Sequence, residues 1–267
     1  MKAIKITLII LCSGIVTALG IDAADTLKGA EGTLLSQVIR TSETGCPAGM
    51  VSVAHVVGVR CVDVYEAGAS ADCPVQHPAN TFDTVSNLND ASCQVVSEVS
   101  VVPWRFITRD QAMQMCARAG KRLPTSSEWY QLSLDMVDGE QQCNTNTSQV
   151  LPAGDTTACV SSHGIFDMVG NVWEWVGDDV IDGVHNGRAL PPSGYVTQVD
   201  AGGIAVYTAD TPSEVFGSDF FWSNDVGAFG MIRGGYYDSD TDAGIYTVHA
   251  DTPPNFAGAA IGFRCVK

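Results

Sequence analysis

The residues best equipped for chemistry are acids and aromatics gathered near the C-terminus. Residues 236–260 read YYDSDTDAGIYTVHADTPPNFAGAA and contain no Lys, Arg, Glu, Gln, Met, Trp or Leu. Tyr236, Tyr237, Tyr246 and Phe256 offer contact area, while Asp238, Asp240, Asp242, Asp251 and His249, with Ser239 and Thr252, offer polar specificity. Such a set suits a cationic or hydroxyl-rich ligand surface. The positions expected to be exposed are Tyr236, Asp238, Ser239, Asp242, His249, Asp251, Thr252, Phe256, Gly258 and Ala260. Each of their side chains is reached by changing only the adenines of an AAC codon, the footprint of adenine-directed mutagenesis. Trp222, Asn224 and Asp225 lie just upstream and are expected to border this face. Tyr237 and Tyr246 are the members that strand alternation can turn inward.

Reactive constellations are scarcer. No GxSxG accompanies a serine, and Ser162 next to His163 reads as a loop pair. The histidines, His55, His77, His163, His185 and His249, form no close-spaced pair, and no CxxC or Cys/His cluster has zinc spacing. The stretch from Asp167 to Glu174 offers a carboxylate and several backbone carbonyls around the turn at Gly170, hard oxygen ligands of the kind calcium takes.

The chain that must position these groups has 267 residues, 45% hydrophobic and 16% charged, which excludes a disordered polymer and a multi-span membrane protein. Its net charge of −16 repels polyanions, so nucleic acid is excluded as a partner. Lys2 and Lys5 precede an apolar run to Gly20, with small Ala18 and Gly20 at its end, the pattern of a secretory signal over residues 1–20. An uncleaved N-terminal anchor is the alternative, and it is the one membrane contact the sequence admits. Cleavage removes two lysines and no acid, taking the charge from −16 to −18. The eight cysteines that remain, Cys46, Cys61, Cys73, Cys93, Cys116, Cys143, Cys159 and Cys265, are an even number in an oxidising compartment and predict four disulfides. Cys143 with Cys159 spans a Gly/Pro-containing loop and forms a plausible bridge; the pairing of Cys46, Cys61, Cys73 and Cys93 stays open.

Residues 21–45 read as a linker, and a single domain is expected over 46–267. Residues 50–67 are valine-rich and partly alternating, as strands are. Thr108 and Gln111 form a capping box ahead of Ala112, Met115, Cys116 and Ala119, with Gly120 as the stop. Thr125 and Glu128 repeat the box before Trp129, Leu132 and Met136. Beyond residue 137, short strands and long loops are expected.

Four stretches, in order, resemble the formylglycine-generating-enzyme or sulfatase-modifying-factor family. They are Cys61-Val-Asp-Val-Tyr-Glu66, Gly120-Lys-Arg-Leu-Pro-Thr-Ser-Ser-Glu-Trp129, Phe166-Asp-Met-Val-Gly-Asn-Val-Trp-Glu-Trp175, and Arg233-Gly-Gly235 followed by Ile261-Gly-Phe-Arg-Cys265. The resemblance implies an α+β, C-type-lectin-like fold, rich in loops, with two main helices on twisted, mostly antiparallel strands. It implies a structural calcium held by the carbonyls of Asp167, Gly170 and Val172 and the side chain of Glu174. It also implies a disulfide between Cys116 and Cys265. The family's oxidase binds copper through two cysteines shortly after Arg-Gly-Gly, where this chain reads Tyr236-Tyr-Asp-Ser-Asp-Thr-Asp-Ala-Gly244, so that activity is expected to be absent.

Segment 236–260, ending in Ile-Gly-Phe-Arg-Cys, further resembles the variable region of target proteins of diversity-generating retroelements. The expectation is a secreted or cell-surface protein, not an enzyme, whose diversified C-terminal face binds a protein or glycan on another cell or a phage. A metal-dependent oxidoreductase or amino-acid-modifying enzyme on the same fold is the rival reading, and an invariant adhesin a third.

Overall fold

A computed structural model describes residues 45–136 and 142–267. The expected signal and linker, with Cys12, lie outside the described residues apart from Gly45. The chain divides into Met1–Ala48 and Gly49–Lys267, and the second unit carries every element below.

Strands β1 (Met50–Ser52) and β2 (Cys61–Asp63) pair antiparallel, as do β3 (Gly68–Ala69) and β4 (Val95–Val96). Helix α1 (Thr81–Asn89) lies between β3 and β4; α2 (Arg109–Arg118) and α3 (Ser126–Ser133) follow. The rest of the chain builds β5 (Trp173–Ile181), β6 (Val184–His185), β7 (Arg188–Ala189), β8 (Gly194–Val199), β9 (Ala205–Ala209), β10 (Phe220–Trp222), β11 (Ala228–Arg233), β12 (Val248–Thr252) and β13 (Ile261–Phe263). These form a nine-stranded mixed sheet in the order β7-β6-β5-β11-β12-β10-β8-β9, with β13 paired in parallel to the start of β5. This is the loop-rich α+β arrangement expected, with a third helix added. Helix α1 escaped the sequence reading because its buried positions are Thr84 and Asn87, while Phe82 is exposed; its signal is the Asn80 cap, whose side chain accepts from the Phe82 and Asp83 amides.

Both predicted capping boxes form, at Thr108 with Gln111 and at Thr125 with Glu128. They orient α2 and α3 so that Ala112, Met115 and Cys116, and Trp129 and Leu132, are fully buried. The sheet separates two apolar layers by period-two alternation. From β5, Trp173 and Trp175 join Trp104, Met115 and Phe263 in one layer, whereas Val176 and Val180 join Trp129, Met168 and Phe221 in the other.

Two buried cations hold the centre. Arg264 donates from Nε to both carboxylate oxygens of Glu174 at 2.8 Å and from Nη2 to Oε1 at 2.5 Å, with both side chains at most 1% exposed. Trp129 Nε1 donates to Glu174 Oε2 at 2.7 Å. Arg233, fully buried, donates to Ser126, Gly203 O and Ile245 O and lies 5.0 Å over the Trp129 ring. Burial lowers its pKa to about 10, against the opposing field of Asp178 and other groups.

The expected bridges Cys116–Cys265 and Cys143–Cys159 are present, and Cys73 pairs with Cys93. Cys46 and Cys61 are also disulfide-bonded. Cys116–Cys265 joins residues 149 apart, fastening the chain end beyond β13 to α2.

Replacing Cys116 by Ser and Cys265 by Ala should lower unfolding stability by about 3–5 kcal/mol in a denaturant titration. Arg264→Met leaves Glu174 buried without a counter-charge and should cost about 3–5 kcal/mol, part of which Glu174→Gln in the same chain restores.

Candidate ligand-binding face

Segment 236–260 leaves the sheet after Arg233 and returns through β12. Gly234 has φ +92°, and a Cβ there would stand 2.5 Å from Met168 O, so the turn at Arg-Gly-Gly needs glycine. Tyr236 N then donates to Ser239 Oγ at 3.0 Å, and Asp240–Asp242 forms a single 3₁₀ turn. The neighbouring loop 144–148 braces this turn. Thr147 and Ser148 amides donate to Tyr237 O, Ser148 Oγ donates to Asp238 Oδ1 at 3.0 Å, and Asn146 Nδ2 donates to Asp240 Oδ1 at 3.4 Å.

Strand register assembles the aromatic part. β10 runs parallel to β12 with Phe221 opposite Val248 and Trp222 opposite His249. The first pair points into the core, so the second must lie on the other side of the sheet. There the Trp222 and His249 rings stack with centroids 3.9 Å apart and planes 5° from parallel. Trp173 meets His249 edge-on at 5.0 Å and Trp222 at 6.1 Å. Tyr236 stacks against Trp173 at 6.5 Å, and Tyr237 closes edge-on against Tyr236 at 5.0 Å. His249 Nδ1 lies 3.1 Å from Asp251 Oδ1, both side chains 29% exposed.

Trp222, Tyr236, Tyr237, His249 and Asp251 therefore come together, with Asp238, Ser239 and Asp240 on the adjoining turn. Asp238, Asp240 and Phe256 are exposed, and Asp242 is half-buried, its carboxyl pushed up by burial and by Asp240. Two expected members depart. Thr252 is buried, because it shares the inward parity of Val248 and Ala250. Tyr246 packs on Tyr130 at 5.8 Å and Phe216 at 5.1 Å, against the opposite apolar layer. Sequence reading missed loop 144–148 and Arg105, whose Nη1 donates to Ala259 O at 2.9 Å and whose guanidinium interacts electrostatically with Tyr237. Sequence distance hides both; their segments carry no signal linking them to 236–260.

The expected calcium ligands sit beneath this face. Glu174 already accepts on both oxygens from Arg264 and Trp129. Asp167 Oδ2 accepts from Gly154 N at 2.7 Å, and nearby Glu66 accepts from Asn171 and Val172. Burial pushes Asp167 up to about 6 and Glu66 well above the usual carboxylate range, with neighbouring acids adding to the shift. No group of three His, Cys, Asp or Glu among the described residues is disposed to hold a metal. The Glu174 carboxylate is engaged by Arg264, so an ion held by it and by the carbonyls of Asp167, Gly170 and Val172 would compete with the guanidinium.

All eight cysteines among the described residues are in disulfides. His55 and His163, distant in sequence, do converge, stacking at 4.0 Å. Ser162 Oγ donates to Asp135 Oδ2 at 3.0 Å and lies 3.3 Å from His163 Nδ1. The acid thus holds the serine and not the imidazole, an order that does not make a nucleophile. His185 pairs with half-buried Asp178 at 2.8 Å.

Residues 134–267 match the sulfatase-modifying factor enzyme 1-like domain. No curated protein matches the sequence. Among solved structures, the I1 variant of the Major Tropism Determinant aligns over 83% of this chain at 18% identity and a TM-score of 0.46; the chain spans about half of that protein, 52%. Treponema denticola variable protein 1 aligns over 62% of this chain and 70% of its own at 15% identity and a TM-score of 0.40. CarF aligns over 78% and 85% at 14% identity and a TM-score of 0.41.

Because Arg264 occupies the Glu174 carboxylate, melting temperature should be the same in EDTA and in millimolar calcium. A calcium-dependent rise would show an ion displacing the guanidinium.

Proposed function

The chain belongs to the family of sulfatase-modifying factor enzyme 1-like domains, and from that premise we propose that it is an exported ligand-binding protein whose segment 236–260 is a diversified recognition face without catalysis. The observation that carries this reading is the parity of β12. Val248 and Ala250 are fully buried, while His249 and Asp251 stand on the far side among Trp222, Tyr236 and Trp173. A frame that buries alternate residues and fastens both ends of the segment lets the outer side chains change without disturbing the core.

The composition of 236–260 supports diversification, since its outer residues are those reached from AAC codons by adenine changes alone. Tyrosine, aspartate and histidine on braced backbone lose little freedom on binding, as in antibody paratopes. The disulfides suit an oxidising compartment. A protein or glycan on another cell or phage surface is the ligand class this face suits, and the absence of a thiolate pair after Arg-Gly-Gly argues against the family's oxidase chemistry.

Replacing Tyr236, Asp238, His249 and Asp251 by Ala, singly, should change unfolding free energy by no more than about 0.5–1 kcal/mol, whereas Val248→Asp should cost more than about 4 kcal/mol. Large losses at the outer four would overturn the exchangeable-surface reading. The flanking DNA should hold a reverse transcriptase gene and a near-copy of the gene's 3′ end that differs at adenines. Metal analysis with stoichiometric copper or iron, together with turnover on a cysteine peptide, would instead establish the enzyme.

A further inference from the structure

A cleft of about 500 Å³ opens where three segments outside 236–260 meet. They are the turn between β5 and β6 at Asp182 and Gly183, residues 189–193, and residues 223–225, which follow directly on Trp222. Hydrogen bonds hold its walls. Asp182 N donates to Gly227 O at 2.8 Å and Gly227 N to Asp182 Oδ1 at 2.9 Å. Leu190 N donates to Gly183 O at 2.8 Å, Ser223 N to Ser193 Oγ at 2.9 Å and Ser223 Oγ to Pro191 O at 2.6 Å.

These bonds engage the hydroxyl hydrogens, and two features dominate what the lining offers. One is negative charge: Asp182 retains an oxygen, the Asp225 carboxylate has no ion pair or hydrogen bond among the described residues, and no Lys or Arg lines the cleft. The other is the apolar surface of Ala189, Leu190, Pro191 and Pro192. A hydrated divalent ion can be held by one or two carboxylates but gains nothing from the prolines. A sugar needs several donors as well as acceptors, and among the lining side chains the donor left over is Asn224 Nδ2. A guanidinium on an aliphatic stem matches both features, its planar fork meeting a carboxylate while the methylenes cover the apolar wall.

We propose that this cleft receives an exposed arginine side chain of a protein partner. It lies wholly outside 236–260, so it is the same in every variant of that segment and forms a constant contact beside a changeable one.

The test is a titration of the isotope-labelled protein with a blocked Gly-Arg-Gly peptide and with its citrulline counterpart, which has the same shape and no charge. The arginine peptide should produce saturable amide shifts at Asp182, Gly183, Ser223 and Asn224, and the citrulline peptide should bind at least about tenfold more weakly. Asp182→Asn with Asp225→Asn should weaken arginine binding to a similar degree. The amide oxygen introduced at position 182 can still accept from Gly227 N, and an unchanged spectrum away from the cleft verifies the fold. Asp72→Asn with Asp110→Asn, an equal change of net charge at exposed positions elsewhere, should leave binding unaltered. Equal binding of both peptides, equal loss in the control pair, shifts centred elsewhere, or no saturable shift at the cleft overturns the proposal. None of these results depends on segment 236–260, so the recognition-face reading stands or falls separately.

Discussion

One buried ion pair organises the molecule. Glu174 and Arg264 sit in the wall between β5 and β13, closed to water, with Trp129 of α3 bonded to the same carboxylate. Such a pair adds little net stability over an apolar pair, because desolvating two charges offsets their attraction. What it enforces is arrangement: any shift of β13 along β5, or of α3 away from the sheet, strands a charge in a dry interior. Arg264 also donates to Phe166 O and Asp63 O, so one side chain ties the C-terminal strand to β2 and to the 166–174 segment.

Arg233 does the same at the far end of β11. Its guanidinium gathers carbonyls from residues 126, 203 and 245 and stacks on Trp129, the indole that also holds Glu174. The two arginines thus grip opposite sides of one tryptophan's neighbourhood. Segment 236–260 begins immediately after the first and ends immediately before β13 and the second. Both ends of segment 236–260 are therefore held by buried charge, with the Cys116–Cys265 disulfide securing the residue next to Arg264.

That framing explains how a long, glycine- and aspartate-rich stretch keeps a defined surface. Its interior contacts on one side of the sheet are made by small residues, Ala243, Val248 and Ala250, while on the other side Trp222, Tyr236 and His249 pack on Trp173 of the second apolar layer. The two layers share no residue, so exchange of an outer side chain of β12 leaves the layer holding Val248 and Ala250 in place.

Much of this was legible in residue order. Capping boxes marked α2 and α3 because their signals are local, three residues from donor to acceptor. Apolar spacing named their buried faces, and the even count of cysteines anticipated the disulfides. Segment 236–260 stood out by composition alone. Tertiary structure decided the rest, because it depends on partners far away in the chain: the parallel register that sets Trp222 against His249, the inward parity that buries Thr252, the turning of Tyr246 toward Tyr130, and the commitment of Glu174 to Arg264 ninety residues away. A residue's neighbours along the chain state what it can bond; only strand register and packing determine which of those bonds form.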